Sequence, residues 1–247
     1  MSKWMVILKA LIIVALLLTL KVAIDSFDFD LISTSPIISG LVAGVIFTIA
    51  ILFTGTLPDY KESEKIPGEL AASIKSLYKD ARISCAKDQK TFSEIQANIK
   101  ELLGIINSNL KNKTWKLREI NSATEKIEDN VYHLAQNDVS PNFISKMRTE
   151  LVNIDRISNR VETIMETTFM PVAYLIADVA ISLVILLLLF VKMDPYYEGI
   201  TLFGAVSFLL ISLMLLIRDM DDPFSGAIRV DLSTLSKLEE RMIPKTQ

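Results

Sequence analysis

Four apolar runs, each about as long as a bilayer is thick, constrain this chain more than any other feature it carries. Crossing a hydrocarbon core of roughly 30 Å takes about 20 residues of helix, since only bonds within the segment satisfy the backbone there. Residues 4–24, 36–57, 171–191 and 197–217 reach that length. The first holds an unbroken apolar core at 10–18, and the second is wholly uncharged and rich in small residues, Gly40, Ala43, Gly44 and Ala50. No small-x-small cleavage site precedes the acids of 25–30, and three further runs follow, so the first run reads as a span and not as a removed leader. The expected class is an all-α membrane protein with four transmembrane helices.

Residues 58–170 between the second and third runs are too long for a connecting loop. Ile95, Ile99, Leu102, Ile106 and Leu110 recur at helical spacing, as do Leu117, Ile120, Ile127, Val131 and Leu134, and then Met147, Leu151, Ile154, Val161 and Met165. Such stripes form amphipathic helices that must bury one face. Mutual packing is the expected use, with a small ligand held between helices as the alternative. Pro67-Gly68 is expected to break an early helix, 107–113 to form a turn, and Ser140-Pro141 to open the last long helix. The domains are therefore a hairpin (1–57), a helical insert (58–170), a second hairpin (171–217) and a tail (218–247).

Basic residues orient this arrangement. The connection at 25–35 has no Lys or Arg, whereas Lys61, Lys65 and Lys75 follow the second span, Arg156 and Arg160 precede the third, and Arg218 and Arg229 follow the fourth. The excess of positive charge marks the cytoplasmic side. Both termini and the insert are expected there, in a multi-pass protein of the inner cell membrane.

Composition removes several function classes. A formal net charge of −3 leaves no electrostatic footprint for nucleic acid. One histidine, His133, and one cysteine, Cys85, deprive the chain of most zinc sites, His-based catalytic arrangements and any internal disulfide. Glu162 and Glu166 lie one turn apart without a Glu-x-x-His partner, and neither a nucleophile elbow nor a Gly-rich phosphate loop occurs. No enzyme and no cofactor are expected.

Within the spans, Ile37, Leu41 and Val45 repeat every four residues and Thr48 continues the row. Several copies of such a face would make a hydrophobic constriction of the kind that gates by dewetting. Close small-xxx-small packing explains the same residues equally well. Lys9 in the first span and Asp178 in the third lie at similar depth, which suggests an ion pair. Lys9 reaching back to the interface is the alternative. After the fourth span comes "RDMDDPFSGAIRVD". Acids at a membrane exit are repelled by anionic headgroups, so protein is expected to hold this stretch. Pro223 cannot continue a helix and Gly226 tolerates a turn.

Two stretches carry a family resemblance. "ILFTGTLPDYKESEKIPGEL" (51–70) resembles the bestrophin pattern in which Phe-Arg-Thr-Asn runs into Tyr-x-Arg-Trp-x-Glu and Trp-Gly-Glu-Leu, matched here by Phe53, Glu62, Gly68, Glu69 and Leu70. "DMDDPFSGAIRVDL" is similar to the acidic Pro-Phe-Gly motif after the fourth bestrophin span, matched by Asp222, Pro223, Phe224 and Gly226. The "DPFSG" followed by "IRV" is shared with the divergent prokaryotic bestrophin-like group. Thr54 stands where the family has arginine, and Ser63 and its neighbours replace the tryptophan pair.

The resemblance implies a homopentamer in a lipid bilayer, the second span lining an axial pore above a cytoplasmic vestibule, and passage of small monovalent inorganic ions. Chloride and other anions rank only slightly ahead of cations, because the acidic outer connections 25–30 and 194–198 would concentrate cations if they lie near the axis. It also implies that the tail motif folds back onto protein, and that Asp219, Asp221 and Asp222 are candidate calcium ligands. Calcium takes six to eight oxygens in a geometry that three neighbouring aspartates cannot complete alone. The competing class is a membrane-anchored helical sensor or scaffold without conduction.

Overall fold

A computed structural model of the chain describes residues 3–27, 29, 32–137, 139–167, 170–224, 226 and 230–242. Asp28 and Asp30 of the acidic connection, and Ser225, Ile228 and Arg229 of the tail motif, lie outside the described residues. The helices are α1 (Lys3–Ser26), α2 (Pro36–Ser84), α3 (Gln89–Lys111), α4 (Leu117–Gln136), α5 (Pro141–Glu166), α6 (Pro171–Leu189), α7 (Tyr196–Met220) and α8 (Ser233–Met242). Two short strands, β1 (Ile32–Ser33) and β2 (Val191–Lys192), pair in parallel with Ile32 opposite Val191. The chain folds as two units, Met1–Tyr60 with Thr168–Arg229, and Lys61–Thr167 with Val230–Gln247.

In the first unit, α1, α6, α7 and the beginning of α2 are long and apolar enough to cross a membrane. Their shared core takes Val45, Ile49 and Leu52 from α2, Ala177, Ile181 and Val184 from α6, and Phe203, Leu210 and Met214 from α7. α1 lies along α7, where a side chain added at Gly204 would touch Leu18 at 3.4 Å. Only 17% of the most apolar stretch of α1, and 17% of that of α2, is buried within the chain. The remainder is apolar surface suited to lipid or to other helices. Exposed Trp4 near one end of α1, and Phe27, Tyr196 and Tyr197 near the opposite ends of the spans, are the aromatic residues that favour membrane–water boundaries.

α2 does not stop where its prolines suggested. It runs unbroken through Pro58 and Pro67-Gly68 to Ser84, which corrects the expected break. An interior proline removes a helical hydrogen bond and costs about 3 kcal/mol. Across Pro67, however, Ile66, Leu70, Ile74 and Leu77 stay in helical register at 3% exposure or less. Burial of each such side chain returns about 1.5–3 kcal/mol, so tertiary packing outweighs the local preference.

The second unit packs α3, α4 and α5 through the stripes read in the sequence. Ile95, Ile99, Leu102, Ile106, Leu110, Ile120, Ile127, Val131, Leu134, Met147, Leu151, Ile154 and Val161 are all buried. α5 opens at Pro141 behind Ser140, as its fixed φ favours. The α3–α4 turn comes later than 107–113, because α3 continues to Lys111 to bury Asn109 and Leu110. Asn109 then organises the reversal. Its Oδ1 accepts from the Lys116 amide at 3.2 Å, its Nδ2 donates to the Ile105 carbonyl at 3.0 Å, and Lys113 takes the left-handed φ of 57°. α8 was not anticipated. It buries Leu235 and Met242 and packs on α3, where Asn107 Nδ2 donates to Glu239 Oε2 at 2.5 Å.

Candidate functional site

The uncharged first half of α2 is the candidate site. Of the row read from the sequence, Ile37 is 82% exposed and Leu41 42%, Thr48 is half-buried with its hydroxyl donating to the Gly44 carbonyl at 3.0 Å, and Val45 is only 5% exposed. Val45 therefore points into the core with Ile49 and Leu52 and shares no free face with Ile37. A helix turns about 100° per residue, so steps of four drift by roughly 40° each and carry a row around the axis. The free face follows mixed steps of three and four instead, through Ile37, Gly40, Gly44, Phe47 and Ile51. A side chain added at Gly40 or Gly44 would meet nothing within 4 Å. That face carries no charge and no partner from the described residues of its own chain.

Charges gather where α6 begins and α7 ends. Asp178 accepts from Arg218 Nη2, so the expected Lys9–Asp178 pair does not form. Lys9 is exposed on α1. The short connection after α6 returns α7 alongside it in the opposite direction, which sets the last turn of α7 beside the second turn of α6. Arg218 is the nearer and longer cation, with a guanidinium that matches a carboxylate. One turn earlier on α6, the buried Tyr174 hydroxyl lies beside Asp221.

The tail motif completes this end of the first unit. The Gly226 amide donates to the Asp222 carbonyl at 2.9 Å, closing a tight turn around Pro223 and Phe224, both buried, Phe224 to 1% exposure. A Cβ at Gly226 would come within 2.7 Å of the Asp219 carbonyl oxygen and 2.8 Å of that of Asp222. The glycine is thus required by close backbone approach. Among the described residues no group of three or more His, Cys, Asp or Glu is placed to hold a metal ion.

In the second unit, Glu62 receives Arg160 through two bonds, Nε to Oε1 at 2.9 Å and Nη2 to Oε2 at 2.7 Å. These bonds hold the Glu62 carboxyl below its ordinary value of 4.5, against a smaller upward push from burial. A lowered carboxylate stabilises the fold fully above its ordinary pKa, and the contribution disappears as pH falls through the lowered value. The pair is nearly half exposed, so its worth is about 1 kcal/mol or less. Arg160→Ala is therefore expected to lower thermal stability slightly at neutral pH and to converge on the parent as acid protonates Glu62 below its lowered value. A deficit unchanged by acid would assign the loss to packing instead. Of the other motif residues, Phe53 packs against the span core, Leu70 is fully buried, and Gly68 and Glu69 are exposed, with open space beside Gly68.

One buried charge escaped the sequence reading. Lys21 is 2% exposed, pairs with Asp25 at 2.6 Å, and donates to the carbonyls of Leu189 at 3.1 Å and Val191 at 2.8 Å. It satisfies carbonyls that the end of α6 leaves without helical partners. The available signal was a lysine four residues before an aspartate at the end of an apolar run.

Residues 60–235 match the family profile described as the bestrophin-like domain. Among solved structures, a bacterial bestrophin homologue from Klebsiella pneumoniae carrying a point substitution superposes with a TM-score of 0.82 at 15% identity, covering 95% of this chain and 97% of that one. A structure of the Klebsiella pneumoniae homologue phased on zinc gives 0.81 at 14% identity, covering 93% and 95%. A substituted protein described only as a membrane protein gives 0.82 at 15% identity, covering 96% and 98%. At such identities the likeness shows a shared fold. No protein of curated function matches the chain.

Proposed function

Because the chain belongs to the bestrophin-like family, we propose that it is a membrane ion channel in which α2 helices from several copies, five by family resemblance, surround the conduction path. The observation that carries this reading is the uncharged free face of α2, with Ile37 82% exposed and open space at Gly40 and Gly44. Apolar residues facing a pore set a dewetting barrier, and the glycines let neighbouring helices approach closely. A helix that merely anchored the second unit would need neither.

Small anions rank ahead of cations. This ranking rests on the family resemblance, since after the span Lys61 and Lys65 are interleaved with the acids Asp59, Glu62 and Glu64 on the same helix. Both termini and the second unit face the cytoplasm on the basic-residue rule.

Purified protein in planar bilayers under a salt gradient tests this directly. A reversal potential near the chloride equilibrium value is the expected result, and absence of current from assembled protein sinks conduction. Ile37→Ser, on the free face, is expected to raise conductance about 10-fold, equivalent to a barrier lower by ~1.4 kcal/mol. Val45→Ser, at a buried site, is expected to destabilise the fold without raising it. A monomeric protein with no conductance would favour the anchored scaffold.

A further inference from the structure

The second unit holds three exposed large hydrophobic side chains among its described residues, Ile83 at 56%, Tyr132 at 64% and Val152 at 64%. Exposed apolar residues that gather into a patch mark contact surfaces. Tyr132 and Val152 line one groove between the end of α4 and the start of α5, a hollow of about 510 Å³ adjoining another of about 580 Å³. Ala135 and Ile144 line both hollows, and no α2 residue lines either. Glu128 and Asp129 also line the smaller one and form no ion pair among the described residues, and Arg148 lines both, so two acids and one base edge the groove.

Ile83 stands elsewhere, on the last turn of α2. Around it stand three bases, Lys79, Arg82 and Lys87, all exposed, and two acids, Asp80 and Asp88, which leaves a net positive charge. An apolar knob flanked by bases therefore exists on the same unit as an apolar groove carrying acids. The two are opposite in net charge.

We infer that the α4–α5 groove receives the α2 end of a second copy of this chain, with Ile83 seated between Tyr132 and Val152, and Lys79 and Arg82 facing Glu128 and Asp129. The inference rests on the self-assembly reading above and deepens it. A closed ring with an odd number of subunits has no two-fold contacts, so each copy must present two different faces to its neighbours. Groove and knob are such a pair. Complementary charge around the contact would set the register and disfavour wrong partners.

Paired cysteines test the assignment in the full-length protein in membranes. Ile83→Cys together with Val152→Cys in one chain is expected to give, on oxidation, a disulfide ladder whose highest rung is the full ring. Either single variant, which still contains the buried Cys85, is expected to give none. Co-expressing the two single variants should stop at dimers. If the ladder is missing while the native mass shows an intact oligomer, the groove assignment is overturned and self-assembly stands. If the unmodified protein is itself monomeric, self-assembly falls and takes the assignment with it. A double variant that fails to assemble is replaced by a charge exchange. Asp129→Lys is expected to reduce the oligomer fraction at least tenfold and adding Arg82→Glu to restore it, whereas failure of that restoration overturns the pairing.

Discussion

Lys21→Met lowers the melting temperature of the detergent-purified protein by on the order of 10 °C, the largest loss expected from any single charge in the chain. The reason is desolvation. Side-chain exposure is 3% at Lys21 and 9% at Asp25, and removal of the ammonium takes away the buried counter-ion of the carboxylate. Breaking a buried pair from one side typically costs about 3–5 kcal/mol. The carbonyls of Leu189 and Val191 also lose their donor, just where β2 begins and pairs with β1. Lys21→Met combined with Asp25→Asn should recover part of the loss, because the stranded charge is gone while the carbonyls stay unmatched. A single-variant shift within ~2 °C would mean that water already reaches this site and that the pair is not what holds the ends of α1 and α6 together.

Phe224→Ala and Gly226→Ala are expected to loosen the turn after α7 by two separate routes. At 1% exposure Phe224 fills its site completely, and truncating a buried Phe costs about 3–5 kcal/mol. Gly226→Ala adds only a methyl group, but that methyl would meet two backbone oxygens at 2.7 and 2.8 Å. Backbone cannot move aside as a flexible side chain can, so the turn itself must open, at a cost of roughly 1–3 kcal/mol. Limited proteolysis read by mass spectrometry checks both, with faster cleavage near residue 224 expected in each variant. Unchanged cleavage in Gly226→Ala would show that the turn flexes freely and that the tail motif is not docked. Phe224→Leu keeps most of the buried volume and should stay near the parent.

Much of this architecture could be read directly. Length and hydropathy placed the four spans, since the bilayer imposes one minimum on every crossing segment. The i, i+3, i+4 stripes name the buried faces of α3, α4 and α5, and Pro141 marks where α5 begins. The tail motif also announced its turn, because Pro223 and Gly226 act through the backbone and need no distant partner to be interpreted.

What the sequence left open depended on which neighbour arrived. α2 passes through Pro67 because the rest of its unit buries Ile66, Leu70, Ile74 and Leu77 around it. Asp178 takes Arg218 and not Lys9 because α7 doubles back beside α6. Val45 leaves the face shared by Ile37 because core packing selects among rows that a four-residue spacing cannot distinguish. Periodicity and segment length are local quantities, so the sequence alone determined the spans, the amphipathic faces and the all-helical class. Ion partners, the continuation of α2 and the free face of the candidate pore helix arise from contacts between residues far apart in the chain, and only the tertiary structure decided them.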